Sequence, residues 1–532
     1  MADTNSDNRI NDLSNSLSQR EINVKDFGAV GDGTTDDRQA ITKAITTSNT
    51  LGVRKIIFPK GTYYYSGTLN MPTPVKLKGE GDAVLLSKNP TSSQDIPISS
   101  DDITLEGLHI SSASNVQAVA TVANGVNHLS IIDSSIESVG HGVHLNHAET
   151  TDVHIRNSEI HAQNGYGYLL NYNSTQSRNF SLINNKISSD QTDAIEINTP
   201  NNSDIVASGI RIIGNEIIAG NASTATTGGF AIGIAQGKDI SIIGNTIKES
   251  RRDALHIEDA SENVTVVGNV FAGCRGDGCV VFNRSKSATL YAKTPIITGN
   301  HFKKLDNTKK GYGLWRVYDG NGVLNFNFGN NRIEGFDKGM FVDGRGCIHA
   351  DGTFIENCNI GIIASASHVF GTVYLSKTPT LIHFQKDTFI DRVVSYTKVD
   401  PATMFTHSLA KTQLATLKSA YYLLNDYKTI VGVNKIPIIK APAYGEGSIK
   451  ISMLKYGGAE KIDLYFRYEV SSGSIQSNLK LVNQAGAIFS NYSLILEDGF
   501  IKLSMKSSST VTLNPITIDL DGTYMLNETV LK

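Results

Sequence analysis

The sequence predicts an all-β chain in which a parallel β-helix is followed by a C-terminal β-sandwich. Asparagines at 157, 185, 215, 245, 269, 300, 331 and 357 each flank a short apolar stretch, as in INNKI, IGNEI, IGNTI and VGNVF, at intervals of 24 to 31 residues. Repeats of that length mark a solenoid. Asparagine suits its turns because it tolerates a left-handed backbone, and stacked copies can pass amide hydrogen bonds from coil to coil. Within each repeat the apolar runs are short and strand-like, such as Ile212 with Ile213, Ile242 with Ile243, and Val264 to Val267, separated by Gly, Asn, Ser and Thr. From about residue 441 the texture changes. Ile449, Ile451 and Met453 alternate with Lys450 and Ser452, and segments 462–466 and 501–505 repeat the alternation, the period of strands with one buried face.

Composition agrees with this reading. The 532 residues, 40% hydrophobic, are enough for a large core, and 48 glycines against 12 prolines suit many tight turns. With 48 basic and 51 acidic residues, and no long Lys/Arg run to track a phosphate backbone, nucleic acid is not an expected partner. The first 20 residues lack the apolar core of a secretion signal, and no stretch reaches the roughly 18 apolar residues of a membrane helix. No signal peptide and no membrane partner are therefore expected. Cys274, Cys279, Cys347 and Cys358 show no metal-type pairing and read as reduced core thiols. His141, His144, His147, His154 and His161 alternate across two strands and a loop instead of converging, so neither metal nor cofactor is expected.

Ile10, Leu13 and Leu17 give residues 1–20 the spacing of a linker or short helix. The block INVKDFGAVGDGTTDDRQAITKAI (22–45) reads as a strand, a Gly-rich turn and a helix for which Thr34 and Asp37 have capping-box spacing. Gly28, Gly31 and Gly33 have neither dinucleotide-fingerprint spacing nor a phosphate-loop lysine. With IIFPKGTYYYSGT (56–68) and VKLKGEG (75–81), this block closely resembles the N-terminal segment of pectate-lyase-like right-handed β-helix proteins, a group of polysaccharide-degrading enzymes and bacteriophage tailspikes. The resemblance is specific over roughly 22–88 and extends loosely, through the coil pattern, to about 375. It implies a segment, residues 21–90, that caps the first coil of a right-handed helix over 91–385. Phe405 to Tyr427, with Leu409, Leu414, Leu417, Ala420 and Leu424, reads as a helix within a connector over 386–440, before a sandwich over 441–532 that binds carbohydrate or assists trimerisation. This order of parts resembles a phage tailspike. That implies a homotrimer on a virion, attached to the phage tail or baseplate through its N-terminus, with a bacterial surface polysaccharide as partner.

Seven strands stack without gaps: GHGVHLN (140–146), GYGYLLN (165–171), TDAIEIN (192–198), GFAIGIA (229–235), RDALHIE (252–258), GDGCVVF (276–282) and GYGLWRV (311–317). If Ile195, Ile197, Ile232, Ile234, Leu255 and Ile257 face inward, Glu196, His256 and Glu258 face outward, across a coil that offers only Gly233 and Ala235. That is a groove for a polymer. Residues two coils apart stand ~9–10 Å apart, which for Glu196 and Glu258 matches the pair of an inverting glycosidase, one acid and one base. Asp193, Asp253 and Asp277 share a second column, with Asp253 and Asp277 as the rival catalytic pair. Arg251, Arg252 and Arg275 flank them as candidates for binding acidic sugars, and His256 as a tuner of pKa or a ligand for a hydroxyl. Tyr166, Tyr168, Tyr172, Tyr318 and above all Trp315, the single tryptophan, are stacking candidates. Gly140-His141-Gly142 is similar to a polygalacturonase motif, but the order of the motifs departs from that family and Asn198-Thr199-Pro200 lacks its aspartate. The expectation is a depolymerase hydrolysing a capsule or O-chain. The alternatives are a lyase acting on uronic acids through His256 and its arginines, and a glycan-binding protein that does not cut.

Overall fold

The computed structural model describes residues 20–88, 92–171, 173–199, 207–220, 228–258, 261–283, 295–305, 310–318, 324–386, 388–407, 415–424, 427–429, 431–440, 444–455, 461–471, 474–485 and 489–526. The expected helix around residues 9–20 lies almost wholly outside them. The chain forms two compact units, residues 1–276 with 290–295, and residues 277–289 with 296–532.

The first unit is a right-handed parallel β-helix. Each coil lays down three strands, for example Lys238–Ile243, Thr246–Ser250 and Leu255–Glu258, and each pairs in parallel with its counterparts in neighbouring coils. Inward positions are Ile, Val, Leu and Phe, buried to within 1% in columns such as Ile210, Ile240 and Val264. Each such side chain contributes ~1.5–3 kcal/mol. The turn between the first two strands of a coil holds a buried ladder. The Asn185 amide N–H donates to Asn215 Oδ1 (2.8 Å), that of Asn215 to Asn245 Oδ1 (2.9 Å) and that of Asn245 to Asn269 Oδ1 (2.8 Å). Each side-chain amide also donates to a carbonyl of the preceding coil, as Asn245 Nδ2 does to Ile212 O at 2.8 Å. Two asparagines of the repeat stand one position earlier. Asn157 (φ 50°) and Asn357 (φ 55°) occupy the left-handed position that Gly214 and Gly244 fill elsewhere, while Ser158 and Cys358 follow them. Replacing Asn245 with Ala strands the Asn215 N–H and the Ile212 carbonyl in the core. About 2 kcal/mol of destabilisation is expected, read as a lowered denaturation midpoint.

At the N-terminal end the helix Arg38–Leu51 buries Ile41, Ala44, Ile45 and Ser48. Asp37 is its N-cap, but no capping box forms. Thr34 lies in the strand Asp32–Asp36, and the Asp37 carboxylate instead accepts from the amides of Val30 (2.6 Å) and Gly31 (3.0 Å), pinning the glycine turn. Gly31 has φ 70°, and a Cβ there would press on the Tyr63 ring at 3.0 Å. The turn's glycines thus serve packing.

The second unit continues with coils of the same kind, with Asn300 donating its amide N–H to Asn331 Oδ1 (2.9 Å), and ends in the sandwich. The expected connector helix is replaced by strands: Phe405–His407, Ala415–Leu424 and Tyr427–Lys428. Leu417, Ala420, Tyr422 and Leu424 are all buried, so an i, i+3 step arises within a strand and gives the misleading spacing. The parallel neighbour makes the same step, from Ile390 to Val393, in register with Leu417 and Ala420. Leu409 and Leu414 lie outside the described residues. Ala415–Leu424 pairs in parallel with Thr388–Val399 and antiparallel with Thr512–Leu526, which leads on to Tyr444–Lys455, Lys461–Ser471 and Ser474–Ala485. A second antiparallel sheet contains Gly432–Lys440, Phe500–Ser507 and Phe489–Glu497. The Tyr422 hydroxyl donates to Ile438 O across the two sheets at 2.9 Å. The sandwich therefore includes strands from 415 onward, earlier than residue 441.

Candidate active site

The third sheet of the first unit pairs Val143, Tyr168, Ile195, Ile232 and Leu255 in one row, and His144, Leu169, Glu196, Gly233 and His256 in the next. The gapless stacking of the sequence is the register observed. Ile195, Ile197, Ile232, Ile234, Leu255 and Ile257 are buried to within 1%, which turns Glu196, His256 and Glu258 outward. Just before each strand, the small residues Ala194, Ala231 and Ala254 face the core without exposure. The bend they allow puts Asp193, Phe230 and Asp253 on the outer side as well, three residues ahead of the Glu196 row.

These rows assemble one cluster. The His256 ring is hydrogen-bonded at both nitrogens, Nδ1 to Asp253 Oδ2 (2.6 Å) and Nε2 to Glu258 Oε2 (3.2 Å). Phe230 stacks on it with centroids 4.4 Å apart, and the Arg252 guanidinium lies 4.9 Å from the centre of the Phe230 ring. Burial alone would depress the imidazolium, but the hydrogen bonds and charges of Asp253 and Glu258 outweigh it and raise His256 to about 9. It is a cation at neutral pH. Asp193 Oδ1 accepts from the amides of Gly229 and Phe230, both at 2.6 Å, and burial pushes its carboxyl up to about 6 against those bonds.

Glu196 fills the space left by the missing side chain of Gly233. A Cβ built on Gly233 would collide with Glu196 Oε2, and that oxygen is enclosed with no hydrogen-bond partner among the described residues. Burial, then the charges of Asp193 and Glu258, push Glu196 up to about 8. The expected open groove floor is thus occupied at Gly233 by a carboxyl that is neutral at pH 7. The register also corrects the spacing of the pair. Glu196 pairs through Gly233 with His256, and Asn198 through Ala235 with Glu258. A shift of two residues, ~6–7 Å, therefore adds to the two strand spacings between the Glu196 and Glu258 backbones. Glu196 reaches along its own row over Gly233, and Glu258 leans back to His256 in that row.

Tyr168 is no platform for a ligand: 1% exposed, it sits in the core row of Val143 and Ile195. Tyr166 lies on the outer side, stacked on His141 at 5.5 Å, its phenol pushed up to about 12 by burial and by Asp193 and Glu196. Arg275 pairs with Glu249 at 2.6 Å, an ordinary surface ion pair. In the second unit, Asp277 Oδ1 accepts from the Tyr312 amide at 2.8 Å, bridging one coil to the next as Asp193 does. There Trp315 is half-buried beside Tyr312 (5.0 Å between centroids), which stacks in turn on Phe341 (5.5 Å) and carries the Lys338 ammonium 4.9 Å above its ring. Tyr172 and the Tyr318 side chain lie outside the described residues. Sequence reasoning missed Phe230, Tyr312, Phe341 and the Asp253–His256 bond. Alternation marked Phe341 as outward, but it gave Phe230 and Asp253 the phase of the inward residues, and their contacts depend on the bend.

Comparison with known proteins follows from this fold. Residues 21–280 match the family model described as rhamnogalacturonase A/epimerase, pectate lyase-like. The chain is 51% identical over 47 residues to Alginate lyase 7 of Azotobacter vinelandii, covering 9% of this chain and 6% of that protein. It is 40% identical over 67 residues to Plasmin and fibronectin-binding protein A of Streptococcus pneumoniae, covering 12% and 9%. These matches span less than a tenth of the curated relatives' length. The tailspike gp61 of Pseudomonas phage phi297 aligns with a TM-score of 0.52 at 11% identity, covering 95% of this chain and 99% of that one. The Dettilon tailspike protein gp208 aligns with a TM-score of 0.40 at 13% identity, covering 95% of each chain. The chain therefore carries a pectate-lyase-like right-handed β-helix and shares its fold with a phage tailspike.

Proposed function

We propose that the chain is a tailspike depolymerase that hydrolyses glycosidic bonds within a bacterial surface polysaccharide, working as a homotrimer at the phage tail. The observation that carries this reading is an enclosed carboxyl and a second, hydrogen-bonded carboxyl on one sheet face. Glu196, raised to about 8, holds a proton at neutral pH, which fits it for the role of acid. Glu258, hydrogen-bonded to the His256 ring, is the carboxyl left for the role of base. Glu196 protonates the departing glycosidic oxygen, and Glu258 takes the proton of an attacking water. Two side chains that lean toward each other from opposite sides of Gly233 suit the ~6.5–9.5 Å of an inverting pair. Asp253 positions His256, and Phe230 with Arg252 covers it.

Cleavage by elimination requires an unprotonated base at the sugar's C5. His256 is a poor candidate for that role at neutral pH, because it is already protonated. The test is product analysis on a panel of capsular and O-chain polysaccharides. Hydrolysis is expected to release oligosaccharides carrying one added water and no new ultraviolet absorbance. Unsaturated ends would replace this reading with the lyase, and binding without any cleavage would replace it with a receptor protein.

A further inference from the structure

The outer face of the C-terminal sandwich carries a second concave site, remote in sequence from the acid cluster. Its floor is the strand Tyr444–Lys455, which pairs with Lys461–Ser471 on one side and Thr512–Leu526 on the other. Ser448 stands opposite Arg467 on the first and Asp521 on the second, while Gly447 stands opposite Tyr468 and Gly522. Two glycines and a serine in the middle leave a gap between a guanidinium and a carboxylate. Gly447 cannot be enlarged, since a Cβ there would collide with the Asp521 carbonyl. Tyr465 walls one end, with Ser448 and then Arg467 hydrogen-bonded to its phenol. Glu469 stands further along the same strand. The hollow is a shallow depression of about 470 Å3, open to solvent.

Its chemistry narrows the occupant. One guanidinium faces two carboxylates, Asp521 and Glu469, in the lining, so the hollow does not favour an anion. Donors on one wall and acceptors on the other, a small-residue floor between them and a phenol ring at the end match the paired hydroxyls and apolar face of a neutral sugar. A protein partner would instead favour an apolar centre. We infer that the hollow formed by Ser448, Tyr465, Arg467 and Asp521 binds a neutral hexose unit of a glycan, independently of the acid cluster on the β-helix.

The test uses the full-length protein with Glu196→Gln, so that no polymer is consumed. Saturation-transfer NMR with the methyl glycosides of glucose, galactose and mannose, and titration calorimetry with neutral capsular polysaccharides, read binding. The expected result is binding of at least one neutral glycan, weakened at least about tenfold, or 1.4 kcal/mol, both by Ser448→Trp, which fills the gap, and by Arg467→Ala. In the chain that retains Glu196, neither substitution should alter cleavage of short soluble oligosaccharides, which separates failure of this site from failure of the proposed hydrolase. Absence of binding by every neutral glycan, or binding unmoved by both substitutions, would overturn the inference. A changed oligomeric state in Ser448→Trp without loss of glycan binding would overturn it as well, and would assign the hollow to contact between copies of the chain.

Discussion

Replacing Glu196 with Gln is expected to cut polysaccharide cleavage about a thousandfold while making the protein more resistant to unfolding at neutral pH. The loss follows from removing the proton donor, since general acid catalysis contributes typically ~10²–10⁴-fold. The gain follows from linkage. The carboxyl of Glu196 is raised from its ordinary 4.5 to about 8 in the folded chain, so the unfolded chain ionises first. Its contribution to stability is complete below about 4.5 and is lost as the pH rises through about 8. Glutamine keeps the shape and has no charge to desolvate, so the variant should unfold at a higher temperature than the parent at pH 8 and at nearly the same temperature at pH 4. The parent's activity should decline on the alkaline side as Glu196 loses its proton near 8. Glu258→Gln should abolish cleavage without the stability gain, because it removes a partner of the His256 cation. Retained cleavage in both variants would remove the acid cluster from the mechanism.

The parts of this arrangement that repeat were legible in the sequence. The asparagine turns recur because each coil must satisfy the same buried amides, and gapless stacking of the third-sheet strands was enough to find Glu196, His256, Glu258 and Trp315 on outward columns. The same alternation also carried the answer for Tyr168, which shares a column with Val143 and Ile195, and for the two-residue offset between Glu196 and Glu258. Features that arise once were harder to read. The i, i+3 burial step from Leu417 to Ala420 gives a strand the spacing of a helix. The Asp253–His256 bond needs the bend at Ala254 to bring an apparently inward position round to the outer face. The enclosure of Glu196 depends on an absent side chain in one neighbour, Gly233, and on the ring of Phe230 standing between Asp193 and Asp253 in its column. The raised pKa that marks Glu196 as the acid comes from these single events, so the residues were legible and their roles were not.

Gly233→Ala tests that separation without removing any ionisable group. Gly233 has an ordinary extended backbone in the strand Ile232–Ala235, and its φ lies outside the left-handed region. Alanine therefore meets no backbone strain there, and the melting temperature should be nearly that of the parent at pH 4, where the Glu196 carboxyl is protonated in folded and unfolded chains alike. The added methyl group takes the place of the Glu196 carboxyl and meets the edge of Phe230 at 3.4 Å. Glu196 must swing out toward water. Displacing a catalytic group by about 1 Å can cost ~10²-fold, and that loss is expected in kcat with KM little changed, because no residue that would hold the polymer is altered. Once rehydrated, the carboxyl should also fall back toward the usual range, so the alkaline decline in activity should begin at lower pH than in the parent. A loss confined to KM, or a kcat loss with the parent's pH profile, would mean that the enclosure over Gly233 does not set the acidity of Glu196, and the assignment of acid and base would have to be reversed or abandoned.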